Sequence, residues 1–590
     1  MAPERTQRIS RRVFLGALGA AGGCLLTDLA LKGPASTFLL QHLAGSEKLT
    51  EATIRATSTE AYKDLIFYFP ESARYERNAK FESIQFLDEN SNVVSVGTPP
   101  KTWVDREYQM AGTPESARFA RVSASAYPGR SYWEDVSLKE VSKRSTRMDV
   151  YFDGRNVDSA QIFQRQETYY LRLKPEADSD RDGIPDREDP NPRIPEPSLV
   201  KPKDDVMVMA IYITSWGAKW PPRYPYRIYL KSETLTIGTE LHPMRGQRYP
   251  IDQAGTYDCG DPEIADWHIK WALEHGITAF VIGWVPFSEN PSGGFNHKFE
   301  DGFLRSAYRD KIKFAIDHFT DSTWDYSGEW FRGYDHVNKT ARAGVDYVKE
   351  NYFDYPSYLR IGKKYFYMLF RIHDYALRHG LDRFRELVKL IHDQDLYLVG
   401  DLRPHYQRNR EVDKQIVGSF DAISCYNWID AGALDMWRKG SKSGHDVWTL
   451  SAPYSSMVSG YYDEWHYWSE LARDCQVDFL TPLCSGFSNR APYDAGEEYG
   501  DNWLVERTGR TPELFKRMCL QSIPFIKKSG TDMCLIDGWN EIHECSTLEP
   551  MLEHGFDYLD AVRDAFCDRP SSGWPPNVVP TADGVRLYSS

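Results

Sequence analysis

Eight short apolar runs separated by helical patterns are the strongest constraint on the fold of this chain. Runs of this length predict buried strands, here at residues 206–213, 279–284, 313–318, 364–370, 396–400, 420–426, 477–483 and 533–539. Segment 262–273 is typical of the intervening helices, with Asp261 as N-cap, Pro262 at its first position and Gly276 past its end. Because alternating strands and helices form parallel sheets and eight strands close a barrel, we expect a (β/α)8 TIM barrel over residues 206–568.

A different pattern precedes the barrel and predicts a second domain, since 590 residues are too many for one ordinary core. Short alternating runs at 64–69, 81–86, 118–124 and 168–173 are separated by Gly, Pro and Asn, which is typical of a β-sandwich. Residues 119–138 resemble the closing strands of galactose-binding-like jelly rolls, an architecture of many carbohydrate-binding modules. We expect a jelly-roll-like sandwich over residues 46–176, with a sugar-binding and a purely structural role both open.

Acidic residues recur at regular spacing between the two predicted domains. Carboxylates at loop positions one, three, five, nine and twelve, with Gly183 at six and a carbonyl at seven, predict a Ca²⁺ site formed by Asp178, Asp180, Asp182, Ile184, Asp186 and Asp189. The loop resembles the thrombospondin type 3 or dockerin calcium loop, and a solvated acidic linker is the alternative. A proline-rich spacer follows, so residues 177–205 are predicted to be a structural calcium loop and linker.

The N-terminus carries a targeting pattern. Arg11 and Arg12 precede a short apolar run at residues 13–26, which resembles a Tat export signal, so residues 1–45 are expected to be signal and leader. The expected location is periplasmic or extracellular, with a lipid anchor on Cys24 as an alternative. No other stretch is long and apolar enough to predict a transmembrane segment, and residues 569–590 are expected to form a C-terminal tail.

Charge and cysteine content exclude several classes of function. A net charge of −14 argues against a nucleic-acid partner, because phosphate binding requires a basic surface. The nine cysteines include no Cys-x-x-Cys motif, so a zinc site or a redox motif is not supported. We expect mostly buried free thiols with one disulfide at most.

The end of the eighth predicted strand carries the main candidate site. Trp539 and Asn540 are followed by Glu541, His543 and Glu544, at the strand end where barrel enzymes hold their catalytic groups. Two carboxylates are what glycosidases require, one to protonate the leaving oxygen and one to act at the sugar. Asn540 could bind a sugar hydroxyl, and His543 could orient a carboxylate or pack in the loop. The alternative for the glutamates is a solvated pair on a helix face.

This segment, together with residues 548–550 and 555–562, resembles the C-terminal signature of glycoside hydrolase family 99 and its barrel clan. Residues 257–263, 276–284, 420–427 and 482–490 resemble further parts of that barrel. The sequence departs from the family at Cys545, where glycine is usual, and at Ile542, where an aromatic residue is usual. These departures concern substrate preference more than reaction type.

The resemblance implies a retaining, endo-acting hydrolase of α-linked, mannan-like polysaccharide without a catalytic cofactor. Glu541 would deprotonate the sugar 2-hydroxyl, and Glu544 would act as acid and then as base, with a pKa raised by an apolar neighbourhood or by Glu541. Tyr212, Trp284 and Tyr426 would line the sugar site, with barrel packing as the alternative. Clan members described as glycosyltransferases make transfer or transglycosylation the second hypothesis, and a glycan-binding protein on a degenerate barrel is the third.

Other polar residues lie at predicted strand ends and are further candidates for substrate binding. They are Asp317, His318, Arg371, Asp401, Arg403, Asn489 and Arg490. Salt bridges that close the barrel mouth are the alternative for each of them. The three arginines also suggest selection of an acidic or sulfated glycan.

Overall fold

The structure is a computed structural model and describes most of the chain. It covers residues 63–69, 79–88, 93–101, 104, 107–114, 117–126, 145–152, 155–163, 167–173, 180, 182–192, 194–214, 259–285, 295–319, 334–403, 408–442, 445–490, 503–541, 544–551, 554–581 and 584–588. The chain divides into two compact units, the first formed by residues 1–195 and 582–585 and the second by residues 196–581 and 586–590, so the main boundary lies within the predicted loop and linker. Cys24, Asp178, Ile542 and His543 lie outside the described residues.

The first unit contains two antiparallel sheets. Its strands are β1 (Lys63–Tyr68), β2 (Ala79–Leu87), β3 (Val93–Gly97), β4 (Glu107–Thr113), β5 (Phe119–Ala126), β6 (Ser145–Phe152), β7 (Arg155–Phe163) and β8 (Glu167–Arg172). One sheet has the order β4-β1-β6-β7 and the other β3-β2-β5-β8, and both contribute to one apolar core that includes Phe67 and Phe81. The strands predicted at 64–69, 81–86, 118–124 and 168–173 are confirmed, whereas jelly-roll connectivity and glycan binding stay predictions.

Strands and helices alternate after residue 196. The strands are β9 (Met207–Tyr212), β10 (Ala279–Trp284), β11 (Lys313–Phe319), β12 (Arg360–Ile361), β13 (Lys364–Phe370), β14 (Leu396–Asp401), β15 (Ala422–Ser424), β16 (Arg438–Lys442), β17 (His445–Pro453), β18 (Asp478–Phe479), β19 (Thr481–Leu483), β20 (Trp503–Thr508), β21 (Met533–Ile536), β22 (Asn540–Glu541), β23 (Ser546–Thr547), β24 (Val578–Thr581) and β25 (Gly584–Leu587). The helices are α1 (Pro262–Glu274), α2 (Phe295–Asp301), α3 (Tyr334–Asn351), α4 (Ile372–His379), α5 (Leu381–Ile391), α6 (Arg410–Val417), α7 (Tyr454–Cys475), α8 (Pro512–Ser529) and α9 (Asp557–Phe566).

Eight parallel strands form a nearly closed barrel. Its order is β9, β10, β11, β13, β14, β15, then β18 and β19 as two halves of the seventh strand, and β21, which pairs with both β19 and β9. The seventh strand is interrupted at Leu480, whose backbone N–H donates to the Ile423 carbonyl at 2.9 Å. Each of the eight predicted strands is confirmed, and so is the parallel barrel.

Alternate residues of the barrel strands point inward. Met209, Ile211, Val281, Met368 and Leu535 belong to one buried apolar cluster that fills the barrel. Successive side chains of a strand point to opposite faces, so the residues between them face the surrounding helices. Burying a large apolar side chain contributes about 1.5–3 kcal/mol to the free energy of unfolding, which makes this cluster the main source of barrel stability.

Local sequence signals fix the ends of α1 as predicted. The Asp261 carboxylate accepts a hydrogen bond from the Glu263 N–H at 3.2 Å, and Pro262 stands at the first helical position. Gly276 follows the helix with a φ of 79°, in the left-handed region that favours glycine. Trp267 and Trp271 are buried on the helix, as its spacing predicts.

Two further features of the described residues are the absence of a membrane-spanning helix and the state of the cysteines. None of the helices described has both the length and the apolar character needed to cross a bilayer. Eight of the nine cysteines are described, all as thiols, and six of them are buried.

The packing of α7 against the turn after β15 yields a stability prediction. A Cβ atom on Gly460 would lie 2.2 Å from the Gly432 nitrogen, so the helix approaches this turn closely. Helix propensity alone would favour Gly460→Ala by about 1 kcal/mol. Because the obstructing atoms are backbone, we expect a net loss of about 1–3 kcal/mol in the free energy of unfolding of the barrel unit. Denaturant titration measures this loss.

Gly440→Ala is the matched control for this substitution. Its nearest neighbour would be the Val447 carbonyl oxygen at 3.9 Å, an ordinary contact. We expect a change within about 0.5 kcal/mol. Equal stability of the two variants would contradict the close approach of α7.

Candidate active site

A short β-hairpin directly follows the eighth barrel strand. β22 pairs antiparallel with β23, with Glu541 opposite Ser546, so Glu544 lies in the loop that joins them. A Cβ atom on Gly538 would lie 2.1 Å from the Ser546 carbonyl oxygen, so this close return of the chain requires glycine. Glu541 and Glu544 are thus on one hairpin at the C-terminal end of the barrel, and both are buried.

Cys545 has an unusual backbone conformation beside Glu544. Its φ is 56°, in the left-handed region that costs a non-glycine residue about 1–2 kcal/mol. Its carbonyl accepts a hydrogen bond from Nη1 of Arg510, which helps to hold this conformation. The position where the family resemblance leads one to expect glycine therefore does adopt the conformation that glycine favours.

The neighbouring strands hold the hairpin in place. The Ser488 N–H donates to the Glu544 carbonyl at 2.7 Å, and the Ser546 hydroxyl donates to the Gly486 carbonyl at 2.6 Å. On the other side, the Asn540 amide accepts from the Ile213 N–H at 2.8 Å and donates to the Ile213 carbonyl at 2.9 Å. Asn540 thus ties the hairpin to the first strand, and sugar binding by it stays a prediction.

Glu544 lies in an environment that favours its protonated form. Burial raises its pKa to about 7, and the rise is limited by the hydrogen bond from Tyr426 and by the positive charges of Arg403 and Arg371. The Tyr426 hydroxyl donates to Glu544 Oε2 at 3.0 Å. Burial, rather than the charge of Glu541, is the main cause of the raised pKa. A carboxyl of this kind can both donate and accept a proton near neutral pH.

Arg371 and Arg403 converge on one carboxylate, that of Asp374. Arg371 donates to Asp374 Oδ2 from Nε at 2.9 Å, and its Nη2 lies 2.8 Å from the same oxygen. Arg403 Nε lies 3.5 Å from that oxygen. Burial alone would raise the pKa of Asp374, but Arg403 and Arg371 hold it at about 2. The sequence analysis missed Asp374, although its spacing of three residues from Arg371 at a helix start is a signal for such a pair.

Asp317 and Asp401 are also brought together. Both are buried at inward-facing positions of β11 and β14, alternate strands whose side chains share a layer in such barrels. Asp401 accepts from the Tyr426 N–H at 2.9 Å and from the Arg371 N–H at 2.8 Å. Burial, and then the charge of Asp401, raises the pKa of Asp317 well above its usual value. This pair lies inside the barrel near its mouth, and substrate binding by it stays a prediction.

Two predicted aromatic residues lie between the barrel and the helices. Tyr212 is buried, and its hydroxyl is 2.9 Å from Nδ1 of His268 on α1. Trp284 is buried with its ring centroid 6.0 Å from that of Tyr347 on α3. Gly283, directly before it, is the residue that faces inward, since a Cβ there would contact Ile213. The contacts of Tyr212 and Trp284 are therefore packing contacts, which the sequence analysis gave as the alternative to sugar binding.

His318 and Trp539 also make packing contacts. His318 Nδ1 is 2.6 Å from the Tyr367 hydroxyl, and burial lowers the pKa of His318 to about 3. Trp539 is fully buried between the rings of His268 and Phe280, at centroid distances of 5.5 and 5.2 Å. The packing contacts of these two residues, like those of Tyr212 and Trp284, support the strand ends. Contact of these four side chains with substrate stays a prediction, and their geometry does not favour it.

The loop after the seventh strand joins the hairpin to a small sheet formed by β16, β17 and β20. The Asn489 amide accepts from the Val505 N–H at 2.8 Å and donates to the Trp503 carbonyl at 3.2 Å. Arg490 forms a largely exposed ion pair with Glu506, with Nη2 and Oε2 2.9 Å apart. Arg490 is therefore engaged in a salt bridge on this sheet, whereas Arg371 and Arg403 meet beside Glu544.

The acidic loop of the first unit brings carboxylates together. Oxygens of Asp180, Asp182 and Asp189 lie within 4.8 Å of one another, a donor set that fits a hard cation such as Ca²⁺. Gly183 has a φ of 96°, as the turn at loop position six requires. Asp186 is buried, and its carbonyl accepts from Arg172 at 2.8 Å. The Ile184 N–H donates to Asp182 at 2.9 Å.

Fold and site define a TIM-barrel protein of the glycosyl-processing class. The chain belongs to the family described as "Glycosyltransferase WbsX", whose model matches residues 242–562, more than half of the chain. This family is glycoside hydrolase family 99-like, so the recognition made from the sequence is confirmed at the level of the barrel.

Solved structures provide further similarities. A GH99 endo-alpha-mannosidase from Bacteroides thetaiotaomicron is 14% identical with a TM-score of 0.39, over 62% of this chain and 96% of its own. A glycoside hydrolase-like protein is 15% identical with a TM-score of 0.38, over 64% and 98%. A glycoside hydrolase family 5 mannosidase from Rhizomucor miehei is 10% identical with a TM-score of 0.33, over 52% and 89%. A comparison with curated protein sequences found no match.

The hydrogen bond from Tyr426 to Glu544 yields a prediction about proton affinity. Tyr426→Phe removes a donor that stabilises the ionised carboxylate, so the pKa of Glu544 should rise from about 7 by about one unit. Infrared titration of the carboxyl bands, with Glu544→Gln as the subtracted reference, measures this shift. Tyr462→Phe, at an exposed tyrosine on α7, should leave the titration unchanged. A fall in the pKa of Glu544 in Tyr426→Phe would contradict the described contact.

Proposed function

We propose that this protein is a retaining glycoside hydrolase that cleaves α-linked, mannan-like polysaccharide within the chain. The observation that carries the proposal is the buried Glu544 with a pKa of about 7, three residues from Glu541 on the same hairpin. Glu544 can give up a proton near neutral pH, and Glu541, on the same hairpin, would act on the same sugar. The family membership supports a glycosyl-processing reaction of this kind.

In the first step, Glu544 donates its proton to the glycosidic oxygen while Glu541 takes the proton of the sugar 2-hydroxyl. The 2-oxygen forms a bond to the anomeric carbon as the bond to the leaving oxygen breaks, which gives a 1,2-anhydro sugar. In the second step, ionised Glu544 takes a proton from water, and the water oxygen attacks the anomeric carbon. The bond to the 2-oxygen breaks, and Glu541 returns its proton there. Two inversions give net retention.

The surroundings of the two glutamates fit these roles. Burial keeps Glu544 protonated before the first step, because the charged form loses hydration. The Tyr426 hydroxyl and the nearby guanidinium groups stabilise the carboxylate that is left after proton donation. Arg371 and Arg403 are the side chains that would bind an anionic substituent. Equal turnover of matched neutral and sulfated oligosaccharides would remove that part of the proposal.

Substitution of either glutamate tests the proposed chemistry. Glu541→Gln and Glu544→Gln should each lower kcat/KM by at least about 10²-fold, because an amide cannot transfer the proton. A panel of α-mannans, α-glucans and sulfated polysaccharides is digested, with product stereochemistry followed by NMR. Glu386→Gln, at an exposed position of α5, is the control and should retain full activity. Near-normal turnover in both site variants would refute the assignment.

Glycosyl transfer is the second candidate function, and the family description favours it. An acceptor hydroxyl would replace water in the second step, with Glu544 as the base in both cases. Product analysis with and without added acceptor oligosaccharide separates the two reactions. New glycosidic bonds in preference to reducing ends would assign the protein as a transferase or transglycosylase.

The first unit and the N-terminus complete the proposal. Export through the Tat route would place the enzyme in the periplasm or outside the cell, where polysaccharide is available. The β-sheets of the first unit would bind glycan or support the barrel, and the acidic loop would hold a structural Ca²⁺. Cleavage itself would require no cofactor.

The calcium proposal has its own test. The cluster of Asp180, Asp182 and Asp189 would repel itself without a cation, so a chelator should lower the Tm of the wild-type protein. The double variant Asp180→Ala/Asp182→Ala should melt at the same temperature with and without chelator. Thermal unfolding with added Ca²⁺ or EDTA measures both. An unchanged wild-type Tm would contradict a bound calcium ion.

A further inference from the structure

Asp374 is a charged residue beside the candidate site to which the proposed reaction assigns no role. It lies on α4, three residues after Arg371, which directly follows the fourth barrel strand and has a φ of 54°. Left-handed backbone is unfavourable for a non-glycine residue, so this turn is held by other contacts. One of them is the Arg371 N–H, which donates to Asp401 at 2.8 Å.

The Asp374 carboxylate joins two guanidinium groups into one ion-pair cluster. Arg371 approaches Oδ2 through Nε at 2.9 Å and Nη2 at 2.8 Å, and Arg403 approaches the same oxygen at 3.5 Å. The three side chains are 24%, 21% and 19% exposed for Arg371, Arg403 and Asp374, so water screens their charges little. The negative charge of Asp374 therefore offsets part of two positive charges in a poorly solvated place.

The same two arginines act on Glu544. Both favour its ionised form, against the burial that favours its protonated form. Nearby guanidinium groups lower the pKa of a carboxyl, and they lower it more when no negative charge offsets theirs. Whether Glu544 keeps its proton near neutral pH therefore depends on which negative groups offset the charges of Arg371 and Arg403.

We propose that Asp374 is a positioning residue that holds Arg371 and Arg403 together and thereby lets Glu544 remain protonated until it acts on the substrate. The inference rests on the proposed function of Glu544 as an acid and adds a residue that sets the pH range of that step. Asp374 acts through the two arginines and needs no contact with substrate.

Other titratable and charged groups lie around Glu544 and the two arginines, and the charge of Asp374 also raises the pKa of one of them, Asp401. They are Tyr426 after β15, Glu541 on the hairpin, Asp537 after β21, Arg510 before α8, and Asp401 and Asp317 inside the barrel. Arg378 and His373 share α4 with Asp374, and His373 lies 3.3 Å from Asp413. Opposite effects of removing Asp374 and of removing one of its arginines therefore distinguish the cluster from these groups.

Opposite shifts from two substitutions test the proposal. Asp374→Asn removes the offsetting charge, so the pKa of Glu544 should fall by about one unit, whereas Arg371→Gln removes a positive charge and should raise it. Infrared titration of the substrate-free, full-length protein, with Glu544→Gln as the subtracted reference, reads both shifts. Since Glu544 must be protonated to act, the alkaline limb of the kcat profile should move to lower pH in Asp374→Asn and to higher pH in Arg371→Gln.

Controls separate this role from a structural one. Asp382→Asn breaks an exposed pair with Arg385 on α5 and should leave the titration unchanged. Asp374→Glu keeps the charge and should restore most of the wild-type pKa. A variant that loses activity at every pH without a shift in the pKa of Glu544 would assign Asp374 a structural role and overturn the proposal, as would a rise in that pKa.

The outcomes also separate this inference from the proposed function. The titration needs no substrate, so a shifted pKa in a protein that cleaves no glycan would refute the hydrolase and leave the cluster intact. If turnover depends on Glu544 but the pKa of Glu544 is unshifted in Asp374→Asn, the hydrolase stands and the proposed role of Asp374 is refuted. If Asp374→Asn does not fold, Arg371→Gln and Arg403→Gln provide the test. An unchanged pKa of Glu544 in both variants would overturn the proposal.

Discussion

The double hydrogen bond between the Asn540 amide and the backbone of Ile213 is the interaction on which the geometry of the site depends. It joins the end of the eighth barrel strand to the end of the first, next to the hydrogen bond from the Trp539 N–H to the Ile211 carbonyl at 2.6 Å. All these groups are buried, so each would cost about 1–3 kcal/mol if it lost its partner. The barrel closure and the place of Glu541 and Glu544 are therefore determined together.

The electrostatics of the mouth follow from burial of several charges in one small region. Burial favours the protonated form of Glu544, while a tyrosine hydroxyl and two guanidinium groups favour its ionised form. Asp374 and Asp401 offset the arginines, and the backbone N–H groups of Arg371 and Tyr426 satisfy Asp401. The result is a carboxyl with a pKa of about 7, which suits the proposed role as acid and then as base.

The family description names a transferase, while the site geometry fits a hydrolase equally well. In the proposed mechanism the two reactions would share the first step, because departure of the leaving group would need the same acid and the same attack by the 2-oxygen. They differ in what occupies the position of water in the second step.

The sequence by itself determined the barrel, its eight strands, the caps of α1 and the place of the two glutamates, because apolar runs and capping residues act locally. The orientation of Tyr212, Trp284 and His318 was decided by tertiary structure. Parallel strands are buried on both faces, so their sequence does not reveal which alternate residues face inward. The left-handed Cys545 and the shared pairing of Asp374 likewise came from the structure. Cys545 depends on Arg510 and the sharing of Asp374 depends on Arg403, and each of these partners lies far away in the chain, so no local pattern records the contact.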